Sequence, residues 1–393
     1  MKLQVTDLDV NNKKVLLRLD LNVPMRDSVI TSDARIESSL KTINYLLENN
    51  AKVIICSHLG RPKGEVVKSL SLKPVAKHLE QLLNKPVKFS NDTVGENATK
   101  QVNKLKAGEV LVLENVRFNK QEKTNDEEFS KKLASLANVY VNDAFATSHR
   151  KEASMYGVSK LLPNAIGFLV SKELRNINGA LQNAKSPFVA ILGGAKIKGK
   201  LQVIENLLDK VDVLIIGGGM SHTFTKALGG KIGKSIVDNE QLDYCYKVVK
   251  QAVNKGVKLL LPVDQVCNKD INATDKPKVY ASSEIPEDYM GLDVGPKTVK
   301  LFSKQIKKAK TIVWNGPLGV FENELYAKGT KGVAIATAKS KAFSVVGGGD
   351  TVSAIEKFNL ENKIDHLSTG GGASLMLFEG KQLPAISIIQ DKK

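Results

Sequence analysis

The sequence predicts an α/β protein made of two doubly wound domains, each with a parallel sheet. Short runs of Val, Ile and Leu recur in both halves of the chain, and each run ends in Gly, Pro, Asn or Asp. These runs are too short for helices and are typical of parallel strands buried on both faces. Stretches with helical periodicity separate them, which is the alternation found in doubly wound, Rossmann-like sheets.

Nine runs are predicted to be strands, four in the first half of the chain and five in the second. They are residues 15–24, 52–60, 110–118 and 138–145, followed by 188–196, 211–220, 258–266, 311–319 and 343–350. The helical pattern is clearest over residues 33–50, where Ile36, Leu40, Ile43 and Leu47 share one face.

The domain boundary is predicted near a helix-like stretch, residues 168–186, that ends before Pro187. We therefore expect a first domain over residues 1–167, a connecting helix or hinge over 168–186 and a second domain over 187–367. Three consecutive glycines at 370–372 could let the last segment, 368–393, bend back toward the first domain.

Composition and charge pattern argue against several classes of protein. The net charge of +17 is compatible with nucleic-acid binding, but the lysines are scattered singly, without a basic run or interleaved aromatic residues. No apolar run approaches the ~20 residues of a membrane span, and the first residues lack the apolar core of a signal peptide. Cys56, Cys245 and Cys267 are widely spaced, which argues against a disulfide framework or a zinc site. We expect a cytoplasmic protein that does not bind nucleic acid or membrane.

Arginine is rare and unevenly placed. Seven of the 58 basic residues are arginines: Arg18, Arg26, Arg35, Arg61, Arg117, Arg150 and Arg175. A guanidinium binds an anion through a planar fork of donors that lysine cannot reproduce. We interpret Arg26 and Arg175 as incidental and the other five as candidate anion ligands.

The ends of the first four predicted strands carry cationic and polar side chains. They are Arg18, Asp20 and Asn22 at the first strand, His58 and Arg61 after the second, Arg117 after the third, and His149 and Arg150 after the fourth, with Arg35 opening the first helix. Ligands of open α/β sheets bind beyond the carboxyl ends of the strands. This pattern predicts a site for a small anion that bears phosphate and carboxylate groups.

The strand ends of the second half carry glycines. They are Gly193 and Gly194, Gly217 to Gly219, Gly316 and Gly319, and Gly347 to Gly349. Glycine lets backbone amides approach phosphates closely, and a following helix N-terminus adds its positive dipole end, so we predict a nucleotide site. The standard motifs do not match: GAKIKGKL, from Gly194, lacks the Ser or Thr of a Walker A loop, and neither GxGxxG spacing nor the protein-kinase triplets occur.

An ordered series of motifs resembles the phosphoglycerate kinase family over essentially the whole chain. The series includes RLDLNVP (18–24), SHLGRP (57–62), ENVRF (114–118), NDAFATSHR (142–150), LGGAKIKGK (192–200), MGLDVGP (290–296), WNGPLGVFE (314–322), GGGDT (347–351) and STGGGAS (368–374). The resemblance implies a glycolytic kinase, a monomer with hinge-type closure, that reversibly transfers a phosphoryl group from 1,3-bisphosphoglycerate to ADP, giving 3-phosphoglycerate and ATP with Mg²⁺.

The resemblance also implies site residues. Those expected to bind the triose substrate are Asp20, Asn22, Arg35, His58, Arg61, Arg117 and Arg150. Those expected to bind the nucleotide are Gly194, Ala195, Lys196, Lys200, Gly219, Gly291, Asn315, Glu322, Gly348, Gly349, Asp350 and Thr351. Asp350 is the expected magnesium ligand, and Arg35 and Lys200 are the expected catalytic residues. Gly199 stands where the family usually has an acidic residue, which affects only the local helix start.

Both nucleophiles of this reaction, the ADP phosphate and the glycerate carboxylate, are already ionised at neutral pH. The histidines at strand ends, His58 and His149, are therefore expected to bind or orient ligand, and His78, His222 and His366 to serve packing or the surface. A non-enzymatic basic α/β protein, with a nucleotide in its glycine loops and RNA or lipid on its surface, is the competing hypothesis. Turnover of 3-phosphoglycerate and ATP separates the two.

Overall fold

The computed structural model describes residues 1–392. The chain divides into two compact units: Met1–Leu174 together with the residues from Gln382 onward, and Arg175–Lys381. Over the described residues, no helix has both the length and the apolar composition needed to cross a membrane.

The first unit has helices on a parallel sheet. Its strands within the described chain are β1 (Lys14–Leu19), β2 (Met25–Arg26), β3 (Val29–Ile30), β4 (Lys52–Cys56), β5 (Val87–Phe89), β6 (Val110–Val112), β7 (Val139–Asp143) and β8 (Asn164–Ile166). Its helices are α1 (Ala34–Glu48), α2 (Lys73–Leu83), α3 (Glu96–Asn103), α4 (Lys120–Thr124) and α5 (Glu127–Ala134), with the short α14 (Pro384–Ser387) near the C-terminus. Helix α6 (Phe168–Gln182) contains the point of division between the units.

Burial of apolar side chains explains the first sheet. Its strand order is β5-β6-β4-β1-β7-β8, and β1 is buried on both faces, as a central parallel strand must be. Helix α1 places Ile36, Ile43 and Leu47 in the core beside the sheet, which confirms most of the predicted apolar face, with Leu40 half-buried. The C-terminal residues pack on this unit, where the amide of Leu3 donates to the carbonyl of Gln390 at 2.8 Å.

The second unit repeats this architecture. Its strands within the described chain are β9 (Phe188–Leu192), β10 (Val213–Ile216), β11 (Lys231–Ile232), β12 (Lys258–Leu260), β13 (Asp264–Asn268), β14 (Lys278–Ala281), β15 (Glu284–Ile285), β16 (Met290–Val294), β17 (Thr311–Asn315), β18 (Phe343–Gly347) and β19 (His366–Ser368). Its helices after α6 are α7 (Leu201–Leu208), α8 (Met220–Ala227), α9 (Leu242–Asn254), α10 (Pro296–Ile306), α11 (Lys328–Ala338), α12 (Gly349–Lys357) and α13 (Gly372–Phe378). The parallel order is β12-β10-β9-β17-β18-β19, around a core that includes Trp314 and Phe302.

The fold class is confirmed, and one predicted strand is wrong. Residues 258–266 form parts of two strands: β12 ends at Leu260, and β13 belongs to a separate antiparallel sheet of order β14-β13-β16. Pro262 lies between them and cannot donate to a ladder, so the run cannot continue as one central strand. The sequence analysis also missed the sheet strands β5, β8 and β19, each of three residues, because such short runs carry little periodicity.

The strand order places a switch point in each sheet. In the first unit β1 lies between β4 and β7, and in the second β9 lies between β10 and β17. The connections leave in opposite directions on the two sides of these strands, which opens a crevice at the carboxyl edge. The segments after β1 and after β9 therefore begin at the places where open α/β sheets bind ligands.

Candidate functional site

The parallel register brings the polar strand ends of the first unit together. Arg18 of β1 lies beside Cys56 of β4 on one side and Asn142 of β7 on the other. The residues that follow these strands, and those that follow β6, therefore emerge at one edge of the sheet. We call the group at this edge the arginine cluster: Asp20, Asn22, Arg35, His58, Arg61, Arg117 and Arg150.

Short contacts join one side of the arginine cluster. Arg35, on the first turn of α1, forms an ion pair with the buried carboxylate of Asp20. The side chain of Asn22 accepts a hydrogen bond from the amide of Gly60 at 2.8 Å, and the carbonyl of Gly60 accepts from Arg117 at 3.1 Å. These contacts connect the segments that follow β1, β4 and β6.

Glu152 joins the other side of the cluster. Its carboxylate accepts from Arg117 Nη2 at 3.1 Å and from Arg150 Nη1 at 3.3 Å. The Nε of Arg117 is buried and has no hydrogen-bond partner within the described chain. Arg61 follows Gly60 and is exposed. Glu152 was missed by the sequence analysis, because a single acidic residue among many gives no signal of its own.

His58 is surrounded by positive charge. Burial lowers the pKa of its imidazole well below the ordinary value, and the nearby guanidinium groups of Arg18, Arg117, Arg150 and Arg35 lower the pKa further. The ring is therefore neutral near pH 7. The structure thus places these four arginines near one histidine, as their positions at strand ends predicted.

Arg18 differs from the expectation that it would face a ligand. Its side chain is fully buried and donates to Ser154 Oγ at 2.9 Å, to the carbonyl of Leu19 and to His58 Nδ1 at 3.3 Å. An inward-facing position on a central strand directs the side chain into the protein.

In the second unit the glycine loops pack against one another, backbone to backbone. Gly193 donates to the carbonyl of Asn315 at 3.0 Å, and Gly194 donates to the carbonyl of Pro317 at 2.8 Å. Gly218 has a φ of +63°, and a Cβ there would lie 2.7 Å from the amide nitrogen of Gly194. A side chain at 218 would separate the loops, so this position requires glycine.

Lys200 reaches back across these loops. Its ammonium donates to the backbone carbonyl of Asn315 at 3.1 Å and to the side-chain oxygen of the same residue. Burial lowers the pKa of Lys200 to about 8, an effect that the nearby carboxylate of Asp350 opposes. The Thr351 hydroxyl accepts from the amide of Gly316 at 2.7 Å. A Cβ on Gly348 would lie 3.0 Å from the Asn315 amide nitrogen, so these residues are brought together.

The other predicted nucleotide residues, apart from Gly291, lie on the segments that follow β9, β10, β17 and β18. A Cβ on Gly219 would lie 2.8 Å from the carbonyl oxygen of Ala195. Ala195 and Lys196 are exposed on the loop after β9, and Gly349 is exposed at the first position of α12. Glu322 is exposed after β17, and its backbone carbonyl accepts from Lys357 at 3.1 Å.

Gly291, at the start of β16, packs against a histidine. Its amide donates to Ser235 at 2.9 Å, and a Cβ at this position would lie 2.5 Å from Nε2 of His222. Burial lowers the pKa of His222 to about 4, so the ring is neutral. The sequence analysis assigned His222 to packing and had no reason to connect it with Gly291.

Asp350 could hold a magnesium ion only together with the phosphates of a bound ligand and water. The described chain has no group of three or more His, Cys, Asp or Glu side chains that could hold a metal ion. Mg²⁺ is commonly bound by one or two carboxylates together with phosphates and water. The exposed carboxylate of Asp350, beside Lys200 and the glycine loops, suits that arrangement.

Two doubly wound units, one with an arginine cluster and one with glycine loops, define an α/β phosphotransferase. The family model "Phosphoglycerate kinase" matches residues 5–381. The phosphoglycerate kinases of Clostridium tetani and Finegoldia magna are each 50% identical to this chain and match it over its whole length. The match covers 98% of the C. tetani protein and 100% of the F. magna protein. The chain belongs to the phosphoglycerate kinase family, and it is an enzyme, a kinase.

Solved structures of phosphoglycerate kinases have the same fold as this chain. The phosphoglycerate kinase from Coxiella burnetii superimposes with a TM-score of 0.91 at 44% identity, over 99% of both chains. The one from Pyrococcus horikoshii gives a TM-score of 0.84 at 35% identity, over 99% of this chain and 98% of the other.

The contact between Gly291 and His222 predicts a coupled pair. Gly291→Ala should destabilise the protein by about 1–3 kcal/mol, because the new methyl group overlaps a buried ring. The same change combined with His222→Ala should cost much less, since the ring is gone. Chemical denaturation of the wild type, both single variants and the double variant gives the coupling free energy. Gly199→Ala, whose methyl group would meet nothing, is the control. Equal costs of Gly291→Ala in both backgrounds would disprove the coupling.

Proposed function

We propose that the chain catalyses the reversible transfer of a phosphoryl group from 1,3-bisphosphoglycerate to ADP, giving 3-phosphoglycerate and ATP, with Mg²⁺. The observation that carries this proposal is the division of labour between the units. Guanidinium groups gather at the switch point of one sheet, and backbone amides with Lys200 gather at the switch point of the other. Family membership supports the same reaction.

The arginine cluster suits the triose substrate. 3-Phosphoglycerate carries a phosphate and a carboxylate, and guanidinium forks match the planar geometry of both groups. Asp20, Asn22, Arg35, His58, Arg61, Arg117 and Arg150 are the proposed ligands. Asp20 and Asn22 have a second role, because they hold Arg35 and the Gly60 segment in place.

The second unit suits the nucleotide. Its proposed ligands are Gly194, Ala195, Lys196, Lys200, Gly219, Gly291, Asn315, Glu322, Gly348, Gly349, Asp350 and Thr351. Helix α12 begins at Gly349, and its second residue, Asp350, lies near Lys200, so its N-terminus would favour a phosphate bound there. Asp350 would hold Mg²⁺, which would neutralise part of the negative charge of the phosphates.

The chemistry requires positioning and positive charge. Phosphoryl transfer spreads negative charge over three oxygens of the transferred group, and both nucleophiles are already ionised. We assign Lys200 and Arg35 to the stabilisation of that charge. Asn315 fixes the direction of the Lys200 ammonium through two hydrogen bonds. Because Asn315 is neutral, it leaves the full charge of Lys200 available to the phosphates.

Transfer also requires that water be excluded. The arginine cluster and Lys200 belong to different units, and reacting atoms must approach to about 3–3.5 Å. We propose hinge-type closure of the units around both substrates, in the region of α6 and the glycines at 370–372. Closure would remove the competing water molecules from an acyl phosphate.

We further propose that the protein acts in the cytoplasm as a monomer, with these metabolites as its partners. A coupled assay with 3-phosphoglycerate and ATP that follows ADP tests the central proposal. Turnover supports the kinase reaction. Nucleotide binding without turnover would favour the competing hypothesis of a non-enzymatic binder.

Replacement of Lys200 should affect rate more than affinity. Lys200→Met should lower kcat by about 10²–10³-fold and leave the Kd of the nucleotide nearly unchanged, because the charge matters most in the transition state. Steady-state kinetics and calorimetric titration measure the two effects. The control is Lys198→Met, an exposed neighbour that pairs with Glu240. A near-normal kcat for Lys200→Met would exclude the catalytic assignment.

The pKa of Lys200 predicts a pH dependence of its own. Since burial lowers the pKa to about 8, the free enzyme loses this charge as the pH rises through that value. The wild-type kcat/KM for nucleotide should therefore fall above about pH 8, while Lys200→Met should show no such fall. An identical alkaline limb in both proteins would assign it to another group.

Replacement of arginine by lysine should raise the KM for 3-phosphoglycerate at the proposed site positions and not at the incidental ones. Lysine at positions 35, 61, 117 or 150 should raise the KM for 3-phosphoglycerate about tenfold or more, because the bidentate fork is lost. Arg26→Lys and Arg175→Lys, both at exposed positions, should have little effect. If all six variants behave alike, the placement of arginine in this chain has no connection with the substrate.

Closure predicts a change of size. The radius of gyration should fall most when 3-phosphoglycerate and a non-transferable ATP analogue are bound together, because only both ligands supply the differential binding energy of the closed form. Small-angle scattering of the free protein, each binary complex and the ternary complex measures it. A constant radius in all four states would contradict closure.

A further inference from the structure

The contact between Arg18 and His58 defines the proton position on the histidine ring. Nη2 of Arg18 lies 3.3 Å from Nδ1 of His58. A guanidinium has only donors, so Nδ1 must be the acceptor of this hydrogen bond. A neutral imidazole carries one proton, which must then lie on Nε2.

A buried chain of hydrogen bonds holds Arg18 in this position. Nε of Arg18 donates to Ser154 Oγ at 2.9 Å, and that hydroxyl donates to Glu122 at 2.6 Å. The amide of Ser154 donates to the same carboxylate at 2.9 Å. Glu122, Ser154 and Arg18 are all completely buried. Every polar atom of these three side chains therefore has a hydrogen-bond partner in the protein, and a rotation of Arg18 would break several hydrogen bonds.

Nε2 of His58 lies toward Asp20, a member of the arginine cluster. The carboxylate of Asp20 lies 4.0 Å from Nε2, which is beyond hydrogen-bond distance. That carboxylate is engaged instead by Arg35. The N–H of His58 therefore remains available to donate to an anionic oxygen.

We propose that Glu122, Ser154 and Arg18 are positioning residues that hold His58 as the neutral Nε2–H tautomer, so that it donates to an oxygen of the phosphoglycerate substrate. The role in substrate binding rests on the proposed function, whereas the tautomer rests on the geometry alone. Arg18 acts through His58 and does not itself need to touch the substrate.

The charges around His58 make this tautomer insensitive to pH. Arg18 of β1, Arg35 of α1, and Arg117 and Arg150 from the loops after β6 and β7 all oppose protonation of the ring, and Asp20 is the carboxylate that faces it. A fixed N–H binds an anion without proton uptake. An imidazole free to exchange tautomers would lose part of this donor at neutral pH.

Nitrogen NMR of the unmodified protein tests the tautomer directly. The chain contains five histidines, and His58→Asn assigns the signal of interest. Two-bond proton–nitrogen spectra distinguish Nδ1–H, Nε2–H and the imidazolium. We expect an Nε2–H signal for His58 that stays unchanged from about pH 8 down to about pH 6. An Nδ1–H signal, or titration near the ordinary histidine pKa, would overturn the proposal.

Variants test the connection with substrate. Arg18→Met removes both the donor and the charge, so His58 should exchange tautomers and its pKa should rise. The KM for 3-phosphoglycerate should then increase about tenfold, and the two-bond spectra of the same variant should show the Nδ1–H and Nε2–H forms of His58 in exchange. Arg18→Gln, which keeps a donor without the charge, should show a smaller increase.

Ser154→Ala and Arg26→Gln provide the comparisons. The first frees Arg18 Nε and should produce a weaker form of the Arg18→Met effect, which also decides the matter if Arg18→Met does not fold. The second changes an exposed arginine and should match the wild type. A KM increase in an Arg18→Met protein whose His58 keeps the wild-type Nε2–H signal would mean that Arg18 serves structure alone, and the positioning role would be rejected. Failure of the enzyme to turn over 3-phosphoglycerate would leave the NMR result standing and would reject only the proposed function.

Discussion

The first unit has to hold several positive charges close together in the absence of an anion. Like charges within a few ångströms repel strongly, and burial increases the penalty because the dielectric is low. Internal carboxylates compensate for this repulsion. Asp20 pairs with Arg35, Glu152 bridges Arg117 and Arg150, and Glu122 is joined to Arg18 through Ser154. The geometry of the arginine cluster depends on these acidic partners as much as on the strands that carry the arginines.

The second unit solves a different problem with fewer charges. Backbone hydrogen bonds join its glycine loops, and the loops pack so closely that a side chain is excluded at Gly218. Lys200 is the cation proposed to act in this unit, and its hydrogen-bond partner is the amide residue Asn315 instead of a carboxylate. Burial lowers the pKa of Lys200 and also that of His58, where the arginines around the ring lower the pKa further. Burial thus governs the protonation state of both side chains, and only in the first unit do neighbouring charges act in the same direction.

Much of this organisation could be predicted from the sequence. The apolar runs predicted the two sheets, and their polar or glycine ends predicted a candidate site at the carboxyl edge of each sheet, because parallel strands bring their carboxyl ends to one edge. Short strands such as β19 and the antiparallel sheet around β13 were not foreseen, since three-residue runs and a proline break are weak signals. Glu152, Glu122 and Ser154 were missed for another reason. Their importance arises from contacts between distant segments, and neither their type nor their spacing reveals those contacts.

For the proposed substrate, the acidic partners would impose an order of binding steps. An anion that enters the arginine cluster must compete with Asp20 for Arg35 and with Glu152 for Arg117 and Arg150, so part of its binding energy is used to replace existing ion pairs. Donors without a carboxylate partner are not subject to this competition: the exposed guanidinium of Arg61 and the N–H that the Arg18 contact places on His58. These donors can bind the anion before any internal pair is broken. Arg35 would exchange Asp20 for substrate afterwards, which makes a catalytic charge available only when the substrate is already held.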